Sequence, residues 1–154
     1  MAKRKSRIDS AAETVRVMAK AAAGIECPSN IPLDDQDIPF FENVIAEYAR
    51  SEWSAHQLEL AALLARTMAD LTREQGLLRD EGGIAYSDKG TPVANPRKSI
   101  VQMHASSILS FRRSLSLHAR AQAGESRDVA KRRASAKDIE DGNPLEDDLL
   151  ARPD

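Results

Sequence analysis

The stretch Leu77-Leu-Arg-Asp-Glu-Gly-Gly-Ile-Ala-Tyr-Ser-Asp-Lys-Gly-Thr-Pro-Val-Ala-Asn-Pro96 constrains this chain most. It places helix-breaking glycines and prolines between two long helix-patterned segments, so the chain has to turn there. It also separates two arms of opposite charge. From Leu33 to Glu81 there are eleven acids and four bases, a formal −7. From Pro96 to Gly124 there are five bases, Arg97, Lys98, Arg112, Arg113 and Arg120, and no acid. A helix with cations and no acid of its own must find anions elsewhere, on another subunit or on a nucleic acid backbone.

Start and stop signals define the two arms. Ser54-Ala-His-Gln57 has the Ser-x-x-Gln form of a capping box and opens a helix to about Arg79. Leu60, Leu64, Met68 and Leu71 fall on one face, and Glu59, Arg66, Asp70 and Arg73 on the other. Asn95-Pro96 restarts a helix as N-cap and first residue. Its stripe of Ile100, His104, Ile108, Phe111, Leu115 and His118 carries it to about Ala123, with Gly124 as the stop. At a rise of ~1.5 Å per residue each helix is roughly 40 Å long. With aromatic residues at only 4 %, two such rods are expected to bury their apolar faces partly against other subunits. Between them, Ile84-Ala-Tyr86 and Thr91-Pro-Val93 flank an Asp88-Lys-Gly90 turn and read as a small β-hairpin or ordered loop.

The flanks carry weaker patterns. A short helix is expected from Ser10 to Ala23, ended by Gly24 and the Cys27-Pro28-Ser-Asn-Ile-Pro32 loop. A second follows Asp37 and Pro39, with Phe40, Phe41, Val44, Ile45 and Tyr48 at helical spacing to about Arg50. Residues 127–137 have five bases and one acid and suggest a solvent-exposed helix; residues 138–154, with seven acids and one base, suggest an acidic tail disordered in isolation. The expected organisation is a basic arm with short helices (1–50), a helical-hairpin core (51–124) and a basic-then-acidic tail (125–154). The expected fold is all-α with one small β-hairpin, its long helical hairpin assembling into a homo-oligomeric ring. Leu60, Leu64, Met68, Leu71, Ile100, Ile108, Phe111 and Leu115 are the expected apolar interface.

Catalytic patterns are absent from the sequence. There is no Gly-x-x-x-x-Gly-Lys-Ser/Thr phosphate loop and no Cys/His metal spacing. His104 and His118 share a face but stand about 21 Å apart along a helix. Ser54 and His56 cannot face each other on one helix, and Cys27 has no placed partner. Asp34/Asp35 and Asp147/Asp148 fall in loops or tails, where solvation explains them. No cofactor, metal site or membrane span is expected. A single cysteine and a charged N-terminus suit a cytosolic protein. The chain therefore reads as a binding protein rather than an enzyme.

Three basic clusters could meet phosphates: Lys3, Arg4, Lys5 and Arg7; Lys98, Arg112, Arg113 and Arg120; Lys131, Arg132 and Arg133. On a helical wheel Lys98, Arg113 and Arg120 share an arc opposite Ile100, Phe111 and Leu115, with Arg112 at its edge. For each cluster an ordinary solvated face is the plain alternative.

Trp53 before the third helix, the connector with Gly82-Gly83 and Gly90, the Asn95-Pro96 restart and the Leu115-Ser-Leu117 end followed by Arg120 together resemble the small subunit of phage terminase. The resemblance spans about Trp53 to Arg120. It implies a non-catalytic subunit in the host cell cytoplasm that forms a ring of about nine copies. Such a ring binds double-stranded viral DNA at the initiation region and delivers it to the large subunit, which carries the ATPase and nuclease. Family members often have a Leu-Gly-Leu-Thr-Pro-like turn where this chain has Leu115-Ser-Leu-His-Ala119, and without glycine the fourth helix is expected to continue. The alternatives are a dimeric helix-turn-helix regulator built from residues 10–50 and a structural head-completion adaptor that never binds DNA. The Gly24-to-Asp37 connector is long for the first of these, and its second helix is acidic where a reading helix should be basic.

Overall fold

The computed structural model describes residues 10–117 and 127–143. Five helices and a two-stranded sheet are present among them: α1 (Ala11–Ala23), α2 (Ile38–Ile45), a 3-10 turn (Arg50–Glu52), α3 (Ala55–Glu81), β1 (Ile84–Tyr86), β2 (Pro92–Ala94), α4 (Arg97–Ser114) and α5 (Arg127–Asp141). The chain is thus mainly helical, with the small hairpin where the connector sequence puts it.

Local chemistry accounts for most boundaries. Ser10 caps α1 by accepting from the Glu13 amide, and Gly24 ends it at φ 74°, a conformation in which a side chain would be strained. The capping box at α3 closes in both directions: Ser54 Oγ accepts from the Gln57 amide at 3.3 Å, and Gln57 Oε1 accepts from the Ser54 amide at 3.0 Å. The strands pair antiparallel with Ile84 opposite Ala94 and Tyr86 opposite Pro92, and Gly90 supplies φ 76° in the turn. Asn95 is buried and its Oδ1 accepts from the Arg97 amide at 2.9 Å, so it caps α4 as expected.

Two helices end earlier than their periodicity suggests. α2 stops at Ile45 rather than near Arg50, because the Trp53 indole N–H donates to the Ile45 carbonyl at 3.0 Å and Ala49 turns the chain into an extended conformation. α4 stops at Ser114 instead of Ala123. There Ser116 adopts φ 58°, the Leu117 amide donates to the Arg112 carbonyl at 2.8 Å and the Ser116 amide to the Arg113 carbonyl at 3.1 Å. This is the paired hydrogen bonding of a Schellman end, made without glycine. The Tyr48 hydroxyl, donating to the Ser116 carbonyl at 2.8 Å with the Leu115 carbonyl at 3.3 Å, holds the turn from outside. α4 is therefore about 27 Å long, well short of the length expected.

The main core lies where α3 packs on α4 along one side and on α2 along the other. Phe41, Val44, Tyr48, Trp53, Ala61, Ala62, Leu64, Ala65, Ile108 and Leu115 are buried there, with Leu60, Met68, Leu71 and Phe111 partly buried around them. Tyr48 and Trp53 meet with ring centroids 5.5 Å apart. Alanines on α3 let the neighbouring helices approach closely, so few aromatics suffice to fill the interior. A second, smaller contact joins α1, the 3-10 turn and α5 around Val17, Ala21 and Ala136.

α5 departs from the expected solvated helix. Ala136 and Asn143 are buried, Asn143 Nδ2 donates to the Met18 carbonyl at 3.2 Å, and Glu140 accepts from the Arg50 amide at 2.7 Å. Order therefore extends past Asp138 to Asn143, into the segment expected to be a disordered tail. Residues 144–154 lie outside the described residues.

Candidate nucleic-acid interface

The cations of α4 divide into two groups. Arg97 is held inside its own chain, with two nitrogens on Glu81 (Nη2 at 2.6 Å, Nε at 3.0 Å) and Nη1 on Glu74. Asn95 Nδ2 donates to the same Glu81 at 3.0 Å. Hydrogen bonds from Arg97 and Asn95 hold the Glu81 carboxyl at a pKa of about 2, and the two carboxylates raise that of Arg97. The acidic arm thus supplies an anion to the acid-free helix within one chain, and the clamp fixes the sharp turn between the β-hairpin and α4.

Lys98, Arg112 and Arg113 differ. All three are exposed, and among the described residues none has an ion-pair or hydrogen-bond partner. The buried side of α4 is set by Ile108 and Leu115; Lys98 and Arg113 lie away from it beside the exposed Leu109, and Arg112 borders it. Acids of α3 are engaged with other residues: Glu74 holds Arg97, Asp70 holds Arg73 at 2.6 Å, and Glu59 accepts from Asn30 at 2.8 Å. Arg120 lies beyond the end of α4 and outside the described residues, as do Lys3, Arg4, Lys5 and Arg7.

On α5, Lys131 is exposed, but Arg132 is already engaged by two acids. Its Nη2 meets Glu13 at 2.8 Å and its Nε meets Glu52 at 3.4 Å. The Arg133 guanidinium sits 4.0 Å from the centroid of the Tyr48 ring, and Lys137 Nζ donates to the Ala46 carbonyl at 2.5 Å. Charge counting along the sequence could not reveal the Arg132 contacts, because the partners lie 80 and 119 residues away.

The expected interface residues also divide. Leu64, Ile108 and Leu115 are buried in the protomer's own core, so they cannot meet another subunit without rearrangement. Leu60, Met68, Leu71 and Phe111 are partly covered by the same core. Ile100, expected on the buried stripe, is 40 % exposed, together with Met103 on α4 and Leu77, Ile84, Tyr86 and Val93 around the connector. The apolar surface left open by the fold is thus concentrated at the hairpin end of the long arm, a location that the stripe of α4 did not predict.

No group of three His, Cys, Asp or Glu able to hold a metal exists among the described residues. Cys27 is exposed, and what desolvation it has pushes its thiol pKa up, away from the reactive thiolate. An open cleft of 660 Å³ between α2 and α5 is lined by Leu33, Phe41, Ile45, Lys137 and Glu140, and within it Glu140 pairs with Arg50 at 3.5 Å. No helix among the described residues is long and apolar enough to cross a membrane.

Comparison with known proteins covers the chain from end to end. The model of the Hendrixvirinae small terminase family matches residues 1–154, well beyond the Trp53 to Arg120 span that carried the resemblance. The terminase small subunit of Enterobacteria phage HK97 is 32 % identical over 159 residues, covering 99 % of this chain and 98 % of that protein. By both measures this chain belongs to the Hendrixvirinae small terminase family.

Proposed function

We propose that this small terminase subunit is a non-catalytic DNA-recognition component of a genome-packaging motor, acting in the host cell cytoplasm. It binds double-stranded viral DNA near the initiation site and hands it to the large ATPase/nuclease subunit. The observation that carries this reading is the exposed set Lys98, Arg112 and Arg113 on an acid-free helix, without an anionic partner among the described residues, in a chain that matches a small terminase family along its whole length. Three cations on one helix give a weak contact. Repeated around a ring of about nine copies they give avidity.

Two observations favour assembly. The buried residues of the two long helices, Ala61, Ala62, Leu64, Ala65, Ile108 and Leu115, lie toward the start of α3 and the end of α4, so the joined end of the helices and the β-hairpin stand beyond the main core. Ile84, Tyr86, Val93, Ile100 and Met103 are exposed there, an apolar load typical of surfaces that meet a partner. We assign the subunit contacts to this end, together with the partly covered Leu60, Met68, Leu71 and Phe111.

The helix-turn-helix alternative fits less well. α1 packs on α5 and the 3-10 turn, whereas α2 packs on α3, so these two helices serve different neighbours instead of forming one reading unit. A pure adaptor would have no need of an uncompensated basic face.

The test is a double substitution, Arg112→Gln with Arg113→Gln. Gln is nearly as good a helix former as Arg, so fold and assembly mass should be retained. Duplex affinity should fall, and the slope of log affinity against log salt should flatten by about 0.9 for each phosphate that is no longer neutralised. A variant that dissociates in native mass spectrometry while binding DNA with an unchanged slope would assign these arginines to the subunit interface instead.

A further inference from the structure

We infer that α5 is a self-masking strap: its basic face is a second phosphate-binding surface, held by the chain's own carboxylates until DNA displaces them. This rests on the DNA-binding reading above. The sequence from 127 to 137 has five bases and one acid, yet most of that charge is engaged at home. Arg132 bridges Glu13 on α1 and Glu52 on the 3-10 turn, Arg133 lies over Tyr48, and Lys137 reaches the Ala46 carbonyl. Glu140 closes the last turn on the Arg50 amide, and Asn143 on the Met18 carbonyl.

The apolar part of this contact is small, since the fully buried side chains are Val17, Ala21 and Ala136. Such residues bury little apolar area, so the contact relies on ion pairs and hydrogen bonds. Glu13, only 5 % exposed, is the centre: Arg132 approaches it from α5 and Arg16 from its own helix at 2.5 Å. A buried ion pair repays little more than its own desolvation. A phosphate presents a guanidinium with the same two-oxygen geometry as a carboxylate, so DNA can take the place of Glu13 and Glu52. Release would free Arg132, Arg133 and Lys137 to join the already exposed Lys131 and would uncover the α1 face beneath.

The experiment uses the full chain carrying Glu13→Gln and Glu52→Gln, with a short duplex of random sequence as the probe. Affinity should rise about tenfold at moderate salt, and the salt slope should steepen by about 2.7, the share of three additional cations. Adding Arg132→Gln and Arg133→Gln to that background should remove most of the gain. A measurement on the unmutated chain stands even if the variants fold poorly: duplex should accelerate amide hydrogen exchange at Arg50, whose N–H is held by Glu140, and along Val17–Ala21. Binding with no gain in affinity or slope, or slowed exchange at Arg50 on adding duplex, would overturn the strap while leaving the α4 site standing. No binding by either protein at low salt would overturn the strap and the DNA-binding reading together.

Discussion

The α3–α4 hairpin and the α1–α5 junction solve the same problem, joining two helices, with opposite materials. In the hairpin, Leu64, Ile108 and Leu115 are buried beside a row of α3 alanines, and the Arg97 clamp sits at the rim. At the junction the apolar share shrinks to Val17, Ala21 and Ala136, and Glu13, Arg132, Glu52, Arg50, Glu140 and Asn143 supply the rest. Apolar burial is non-directional and is not screened by salt, whereas partly buried ion pairs are directional, screened and exchangeable. The hairpin is therefore the rigid frame, and the junction is the part that can be traded for another anion.

Substitutions in the two regions should differ in size and in salt dependence, with the largest effect in the frame. Leu64→Ala removes a side chain with no exposed surface and should cost about 3–5 kcal/mol in urea unfolding. A loss under about 1 kcal/mol would mean that the hairpin is not the main core.

At the junction, Arg132→Ala takes one of two arginines from the buried Glu13 carboxylate. It should cost about 1–3 kcal/mol, the range for hydrogen bonds to charged groups. The loss should appear as local opening of α5 in hydrogen exchange before global unfolding, and the gap from wild type should narrow in high salt. The same logic sets where a tail deletion is safe: removing 144–154 should leave α5 protected, while removing 138–154 also takes Glu140 and Asn143 and should expose it.

Within the frame, Ser116→Gly probes how α4 ends. Ser116 sits at φ 58°, where glycine carries no Cβ strain, so thermal unfolding should show a gain of up to about 1 kcal/mol. A loss would mean that the serine side chain itself stabilises the turn.

The smallest expected effect is at the clamp, which sits at the rim with its Glu81 side chain 43 % exposed. Glu81 has its pKa depressed from 4.5 to about 2, chiefly by Arg97 and then Asn95. A depressed acid contributes stability that is present above its unfolded value and is lost as pH falls through the folded one. Arg97→Gln should therefore lower Tm at neutral pH, and the difference from wild type should shrink between pH 4.5 and about 2. An unchanged difference across that window would assign the clamp to geometry alone.

Much of the frame is legible in the sequence because its signals are local. The capping box at Ser54, the Asn95 cap, Gly24 and the glycine-spaced hairpin each act within a few residues, and the Leu60–Leu71 stripe repeats at the helical period. The candidate site was legible only in part. Lys98, Arg112 and Arg113 stand exposed on α4, as an acid-free helix suggests, but the wheel did not reveal that Arg97 is neutralised by Glu74 and Glu81 or that Ile100 faces outward.

The helical class, the break between the arms, the caps and the charge segregation follow from the amino-acid order, since each depends on backbone preference or on neighbours one to four positions away. Where α2 and α4 stop is instead a product of long-range packing, because the Ile45 carbonyl is claimed by Trp53 and the end of α4 is held by Tyr48 from 68 residues upstream. Packing also sets which basic residues remain open. Arg132 meets Glu13 across 119 residues of chain, and an ion pair of that span has no period, spacing or motif by which the sequence could announce it.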